Sequence, residues 1–248
     1  MRLIEFKTQP GTCEKHGTYQ NREIFGRWLG CPICSEEKIA EINHRQAAAD
    51  RQEALKRRLA AVRIPPMYQA SRIETYRADS KDQEQARATF ARYSQNFDRV
   101  LAKGAKLVAV GTTGTGKTHL ACAVLTDLCC RGHRVRYATA RDIVMEVRRS
   151  YGSGSEETDL DILTRYAGYD LLVLDEVGAG SGREHEQMVI ADLICRRHDA
   201  LRPLILISNF DEQSLRDCVG DRVWSRLNEC GHLLHMAWAD HRLKTTTK

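Results

Sequence analysis

One octapeptide constrains this chain more than any other feature. Gly111-Thr112-Thr113-Gly114-Thr115-Gly116-Lys117-Thr118 is a complete G-x-x-x-x-G-K-[ST] sequence. Before it, Lys106 to Val110 is a short β-branched run of buried-strand character; after it, His119 to Arg131 reads as an apolar helix rich in Ala, Leu and Cys. Glycines between a strand and a helix let the backbone turn so tightly that successive N–H groups face one concavity, to which the helix adds its positive end. A polyphosphate fills such a cradle. Lys117 is expected to reach the β- and γ-phosphates, and the Thr118 hydroxyl to ligate Mg2+. A merely flexible glycine turn would have no use for Lys-Thr at this spacing.

A second motif turns a phosphate binder into a candidate nucleotide hydrolase. Asp170-Leu171-Leu172-Val173-Leu174-Asp175-Glu176 is an apolar run of the kind buried on both faces of a parallel sheet, and it ends in two carboxylates. Carboxyl ends of strands are where open α/β sheets place their ligand chemistry. Asp175 is the candidate for holding Mg2+ through its water shell, and Glu176 for orienting and deprotonating the attacking water. Paired acids at a strand end also serve as caps of a following helix, and without the glycine loop that reading would be preferred.

With 248 residues the chain can bury a proper core, and the motifs favour one large domain with a small appendage. No apolar run approaches the ~18 residues of a membrane span, and Met1 to Lys7 lacks the apolar stretch of a signal peptide, so a cytoplasmic location without a membrane partner is expected. Of nine cysteines, Cys122, Cys129, Cys130, Cys195, Cys218 and Cys230 read as reduced packing residues. A net charge of +5 permits a nucleic-acid partner without demanding one.

The remaining three cysteines have a different setting. Cys13-Glu14-Lys15-His16 and Cys31-Pro32-Ile33-Cys34 form a C-x-x-H and a C-x-x-C pair around a polar, hairpin-like segment. Zn2+ takes four N/S ligands, and a two-residue spacer lets both side chains of each pair converge while turn N–H groups face the sulfurs. With little beyond Ile24, Phe25, Trp28 and Leu29 to bury, residues 1–35 need such a staple. A redox C-x-x-C and three unrelated cysteines are the competing readings, and His44 is a possible substitute for His16. From 36 to 63 the charged, alanine-rich composition predicts a solvated helical linker, which Ile64-Pro65-Pro66 ends. The domain boundary is placed there, with residues 64–248 as the catalytic domain.

Beyond the glycine loop the pattern alternates: a strand over Arg134 to Thr139, helices from Arg141 to Ala167, the strand ending at Asp175, a helix from Arg183 to Leu201, a strand from Pro203 to Ser208, and a last strand-like run from His232 to Trp238. That order predicts an α/β fold with a doubly wound parallel sheet. Asn209 follows a strand end where its side chain could touch both γ-phosphate and attacking water.

Ile64-Pro65-Pro66 with Ile73-Glu74-Thr75-Tyr76, Gly111 to Thr118, Leu171 to Glu176, Ser208-Asn209 and Gly220-Asp221-Arg222-Val223-Trp224-Ser225-Arg226-Leu227 together resemble the AAA+ ATPases of the DnaC/IstB family, especially the DnaC- and DnaI-type replicative helicase loaders. The resemblance covers about residues 64 to 243. It implies ATP as the nucleotide, Asn209 as the sensor asparagine, Arg226 as an arginine finger reaching a neighbouring subunit, and Arg222, one helical turn earlier, as the alternative finger. Arg242, in Trp238-Ala239-Asp240-His241-Arg242, resembles a Trp-x-Ser-Tyr-Arg pattern of the family with departures at Asp240 and His241. The chain ends soon after, so no C-terminal helical lid is expected. Arg148, Arg149 and Tyr151, before Gly152-Ser153-Gly154-Ser155, occupy the place where related initiators line a single-stranded DNA path, a composition suited to phosphates and stacking bases. The implied function is ATP-dependent loading of a hexameric replicative helicase onto single-stranded DNA, with ATP hydrolysis driving release and self-association on helicase or DNA. The alternatives are an IstB-type transposition helper ATPase and an ATP-binding scaffold with little turnover.

Overall fold

The computed structural model describes residues 7–152, 156–179 and 184–240. Its chain divides into two compact units, Met1–Arg57 and Arg58–Lys248.

In the first unit, strand β1 (Thr8–Cys13) pairs antiparallel with β2 (Gly17–Ile24), and β3 (Arg27–Trp28) adds a short third strand. The turn closes with Cys13 opposite Gly17, whose φ of 73° is the left-handed geometry glycine accepts without strain. Helix α1 (Pro32–Val62) then runs for 31 residues, about 46 Å at 1.5 Å per residue. It begins four residues earlier than the composition shift suggests, because Pro32 is well suited to a first helical turn, and Cys34 therefore lies on the helix. Most of α1 is exposed and carries i,i+4 pairs such as Glu41–Arg45 and Glu53–Arg57. The unit boundary falls inside this helix rather than at Ile64-Pro65-Pro66, since Val62 and Ile64 are already buried in the core of the second unit.

The second unit is built on five strands in the order β5 (Val135–Thr139), β6 (Leu171–Asp175), β7 (Leu204–Ser208), β4 (Lys106–Val110), β8 (Gly231–His235), all parallel. Period-two alternation sorts each strand between two cores. Leu107, Ala109, Leu171, Val173, Ile205 and Ile207 pack with helices α2 (Lys81–Gln95), α3 (Phe97–Lys103) and α4 (Lys117–Cys130). Val108, Val110, Leu172, Leu174, Leu204 and Leu206 pack on the opposite face with α5 (Ala140–Ser150), α6 (Asp159–Ala167), α7 (Glu184–Asp199), α8 (Glu212–Val219) and α9 (Asp221–Glu229). Arg183, expected to start α7, lies outside the described residues, as do Arg242 and residues 153–155. The last strand is shorter than the sequence suggests. Met236 still donates its N–H to Val110, and the chain then leaves the sheet toward the glycine loop.

One packing expectation changes. Cys122 and Cys129 are buried as predicted, whereas Cys130 and Cys230 are exposed and Cys195 and Cys218 half-buried. Arg197 is fully buried; its guanidinium donates to the carbonyls of Tyr166, Ala167 and Pro203 and so ties the end of α6 to the entry of β7. Burial draws its pKa down to about 9, which leaves it charged at neutral pH. Among the described residues no helix is long and apolar enough to cross a membrane.

Candidate nucleotide and metal sites

The carboxyl ends of β4, β6 and β7 converge on one cleft of about 530 Å3. Thr113 to His119, Asp175, Glu176 and Asn209 line it, with Tyr68, Tyr76 and Trp238 from flanking segments. Gly111, Gly114 and Gly116 have φ of 129°, 74° and 89°, so a side chain at any of them would be strained. Space forbids one as well. A Cβ at Gly116 would lie 2.5 Å from the Tyr76 ring, and one at Gly111 2.4 Å from the Met236 carbonyl oxygen. The concave backbone is thus available to an anion at the first turn of α4, which fits the phosphates of a nucleotide.

Lys117 is 4 % exposed, and its ammonium donates to the carbonyls of Gly111 at 2.8 Å and Thr112 at 2.6 Å. These contacts hold the cation over the loop. Thr118 Oγ1 donates to Asp175 Oδ2 at 2.8 Å, joining the two motifs across 57 residues of chain. A hydroxyl and a carboxylate side by side are the hard oxygen donors that Mg2+ takes, directly or through its waters. Oδ1 of the same carboxylate accepts the Glu176 N–H at 2.7 Å. Glu176 itself is exposed and has φ of 58°, rare for a residue with a Cβ. That twist takes it out of the strand's alternation, so the two adjacent acids occupy different places in the cleft. Asn209 is also exposed there; Ser208 anchors the turn by donating to the Val177 carbonyl at 2.7 Å.

Sequence reasoning missed several groups around this cleft. Tyr137 donates from its hydroxyl to Asp175 Oδ2 at 3.0 Å, and burial, then the neighbouring Asp175 charge, holds its phenol well above the ordinary range. Tyr76 Oη at 2.9 Å and Trp238 Nε1 at 3.2 Å both donate to the Thr115 carbonyl, and Thr112 Oγ1 donates to the Trp238 carbonyl at 3.2 Å. Asp240 presses its carboxylate against Gly114, with an oxygen 1.8 Å from where a Cβ would stand. Tyr137 stands in a strand that also carries Arg136 and Thr139, so no local signal marked its hydroxyl. None marked the 236–240 crossing.

The proposed arginines are placed unequally. Arg222 is exposed on α9, whereas Arg226 is about one-fifth exposed and pairs with Asp199 at 3.4 Å. Arg148 pairs with Glu186 at 3.2 Å, while Arg149 and Tyr151 are exposed beside it.

In the first unit, the ligand atoms of Cys13, His16, Cys31 and Cys34 lie within 4.8 Å of one another. Sγ to Nδ1 distances are 3.7, 3.6 and 3.3 Å, and Cys13 Sγ to Cys34 Sγ is 3.5 Å. Tetrahedral Zn2+ with ordinary bond lengths requires edges of about 3.8 Å between sulfurs and about 3.5 Å between sulfur and nitrogen, so the donor set fits that ion. The backbone N–H groups of His16 and Lys15 draw the Cys13 thiol down to about 6, while the thiol of Cys34, hydrogen-bonded to Cys13, is pushed up to about 11. Glu37, another residue missed from sequence, meets His16 Nε2 at 3.2 Å and so orients the imidazole. His44 is exposed on α1 and is not among the four.

The profile of the IstB-like ATP binding proteins matches residues 32–246. The replicative helicase loader DnaC of Escherichia coli K12 is 30% identical over 188 residues, which are 75% of this chain and 74% of that one. A crystal structure of the DnaC helicase loader superposes with a TM-score of 0.62 at 24% identity, covering 69% of this chain and 99% of that one. The replication initiator DnaA bound to AMPPCP and single-stranded DNA gives 0.60 at 27% identity, over 73% of this chain and 54% of that one. The fold is therefore the AAA+ fold of these replication proteins. With the profile spanning most of its length and the glycine loop and strand carboxylates meeting in one cleft, the chain belongs to the IstB-like ATP-binding family.

Proposed function

We propose that the protein is an ATP-hydrolysing loader of a hexameric replicative helicase onto single-stranded DNA. The observation that carries this reading is the similarity to the DnaC helicase loader across three quarters of both chains. The cleft supplies the chemistry. Residues 111–116 cradle the polyphosphate, Lys117 turns from the loop carbonyls to the β- and γ-phosphates, and Thr118 and Asp175 hold Mg2+, which when bound neutralises charge on the transferred group. Glu176 takes the proton of the attacking water, and Asn209 positions that water against the γ-phosphate. Arg226 or Arg222 of one copy stabilises the charge developing on the nucleotide of the next, so turnover requires self-association on helicase or DNA. Arg149 and Tyr151 contact the single strand, with Arg148 released from Glu186.

Residues 1–35 hold a structural Zn2+ on Cys13, His16, Cys31 and Cys34 and dock on the helicase, with the charged helix as linker and residues 64–248 as the ATPase domain. Size-exclusion chromatography of the full chain with the host's replicative helicase tests the reading; co-elution that depends on ATP supports it, and separate elution at every nucleotide state contradicts it. The family profile favours one second reading, an IstB-type helper of a transposase, for which the transposase and not the helicase would co-elute.

A further inference from the structure

We infer that Tyr137 is a positioning residue for Mg2+, acting through Asp175. The inference rests on the reading of Thr118 and Asp175 as the metal-holding pair. An ionised carboxylate offers about four lone-pair positions. Oδ2 of Asp175 accepts from the Thr118 hydroxyl at 2.8 Å and from the Tyr137 hydroxyl at 3.0 Å, and Oδ1 accepts the Glu176 N–H at 2.7 Å. Among the described residues this leaves one position, on Oδ1, without a donor. Thr118 has a single hydroxyl hydrogen and gives it to Asp175, so its own lone pairs are directed away from the carboxylate.

Tyr137 comes from β5, whose register sets Tyr137 beside Val173 and Thr139 beside Asp175. Its ring belongs to the core under α4, at 7 % exposure, where phenylalanine would fill the same space. Asp175 is the one hydrogen-bond partner of its hydroxyl among the described residues. That hydroxyl therefore adds nothing to packing that a phenylalanine lacks. What it adds is a fixed donor on one carboxylate oxygen, against a torsion that is otherwise broad for an aspartate. Without it, Oδ2 of Asp175 keeps only the Thr118 hydroxyl, which can turn with it, and the Glu176 N–H alone still fixes Oδ1.

Groups that orient metal-holding carboxylates typically change metal affinity by about 10- to 100-fold when removed. The test uses the full chain as wild type, Tyr137→Phe, Asp175→Asn and the double variant. A fluorescent ADP analogue is titrated in EDTA and at rising Mg2+, with thermal melting recorded alongside. Tyr137→Phe is expected to bind the analogue like wild type in EDTA, to melt as a folded protein, and to need about tenfold more Mg2+ for tight binding. On the Asp175→Asn background it should add nothing, because the two residues act as one unit. Wild-type Mg2+ dependence in Tyr137→Phe, an equal loss of affinity in EDTA, or a further loss on the Asp175→Asn background would overturn the positioning role. A wild-type protein whose nucleotide affinity ignores Mg2+ overturns the metal reading of the cleft, and this inference with it.

Discussion

Nη1 of Arg226 lies 3.4 Å from Oδ1 of Asp199, the last residue of α7, without the alignment of a directed hydrogen bond. An ion pair with one partner this exposed contributes at most about 1 kcal/mol, so Arg226 can leave it to reach a neighbouring subunit. Arg226→Ala is then expected to bind ATP as wild type does and to lose hydrolysis by about 10³-fold when assembled on helicase or single-stranded DNA. Mixing it with inactive Lys117→Ala should recover part of the activity at mixed interfaces. If Arg226→Ala hydrolyses normally and Arg222→Ala does not, the exposed Arg222 is the finger.

Lys117 and Glu176 line one cleft, and the proposed mechanism gives them different steps. Lys117→Ala should abolish ATP binding, because the cation contacts ground-state phosphates. Glu176→Gln should keep binding and lose at least about 10²-fold in turnover, because only the attacking water is affected. Nucleotide affinity and steady-state hydrolysis measured on both variants separate the roles; normal hydrolysis by Glu176→Gln would remove that residue from catalysis.

The glycine loop and the carboxylate-ended strand are legible because each is contiguous and each fixes its own backbone. Partners brought in from afar are not. Trp238 reaches Thr115 across 123 residues, and Tyr137 reaches Asp175 across 38, with nothing in their neighbours to announce it. The four metal-ligand candidates lie between these cases: their two spacers are visible locally, while their meeting depends on the β1–β2 hairpin and the first turn of α1. The charged composition that marks α1 begins at residue 36, while the helix begins at Pro32, a residue that also suits a first helical turn.

Asp240 places a negative charge against the middle of a loop read as a phosphate cradle. Like charges a few ångströms apart repel by about 1 kcal/mol in water and by more in a partly dry cleft. Asp240→Asn is therefore expected to tighten nucleotide binding several-fold, with a larger gain at low salt, where screening is weaker. Calorimetric titration at two ionic strengths checks this; unchanged or weaker binding would mean that the bound polyphosphate never meets this carboxylate.

Elemental analysis of the purified chain should find about one zinc per molecule, lost in Cys31→Ser and Cys34→Ser. Residues 1–35 should then unfold locally while ATP binding persists, since the nucleotide cleft draws on the second unit alone. Metal-free protein with that region well folded would rule the zinc site out.

The most direct measurement is deposition of the host's replicative helicase on circular single-stranded DNA, scored with and without this protein and ATP. Helicase retained on the circles only when both are present, and then trapped with the loader still attached in Glu176→Gln, is the expected result. Equal retention without the protein or without ATP would contradict the loader reading.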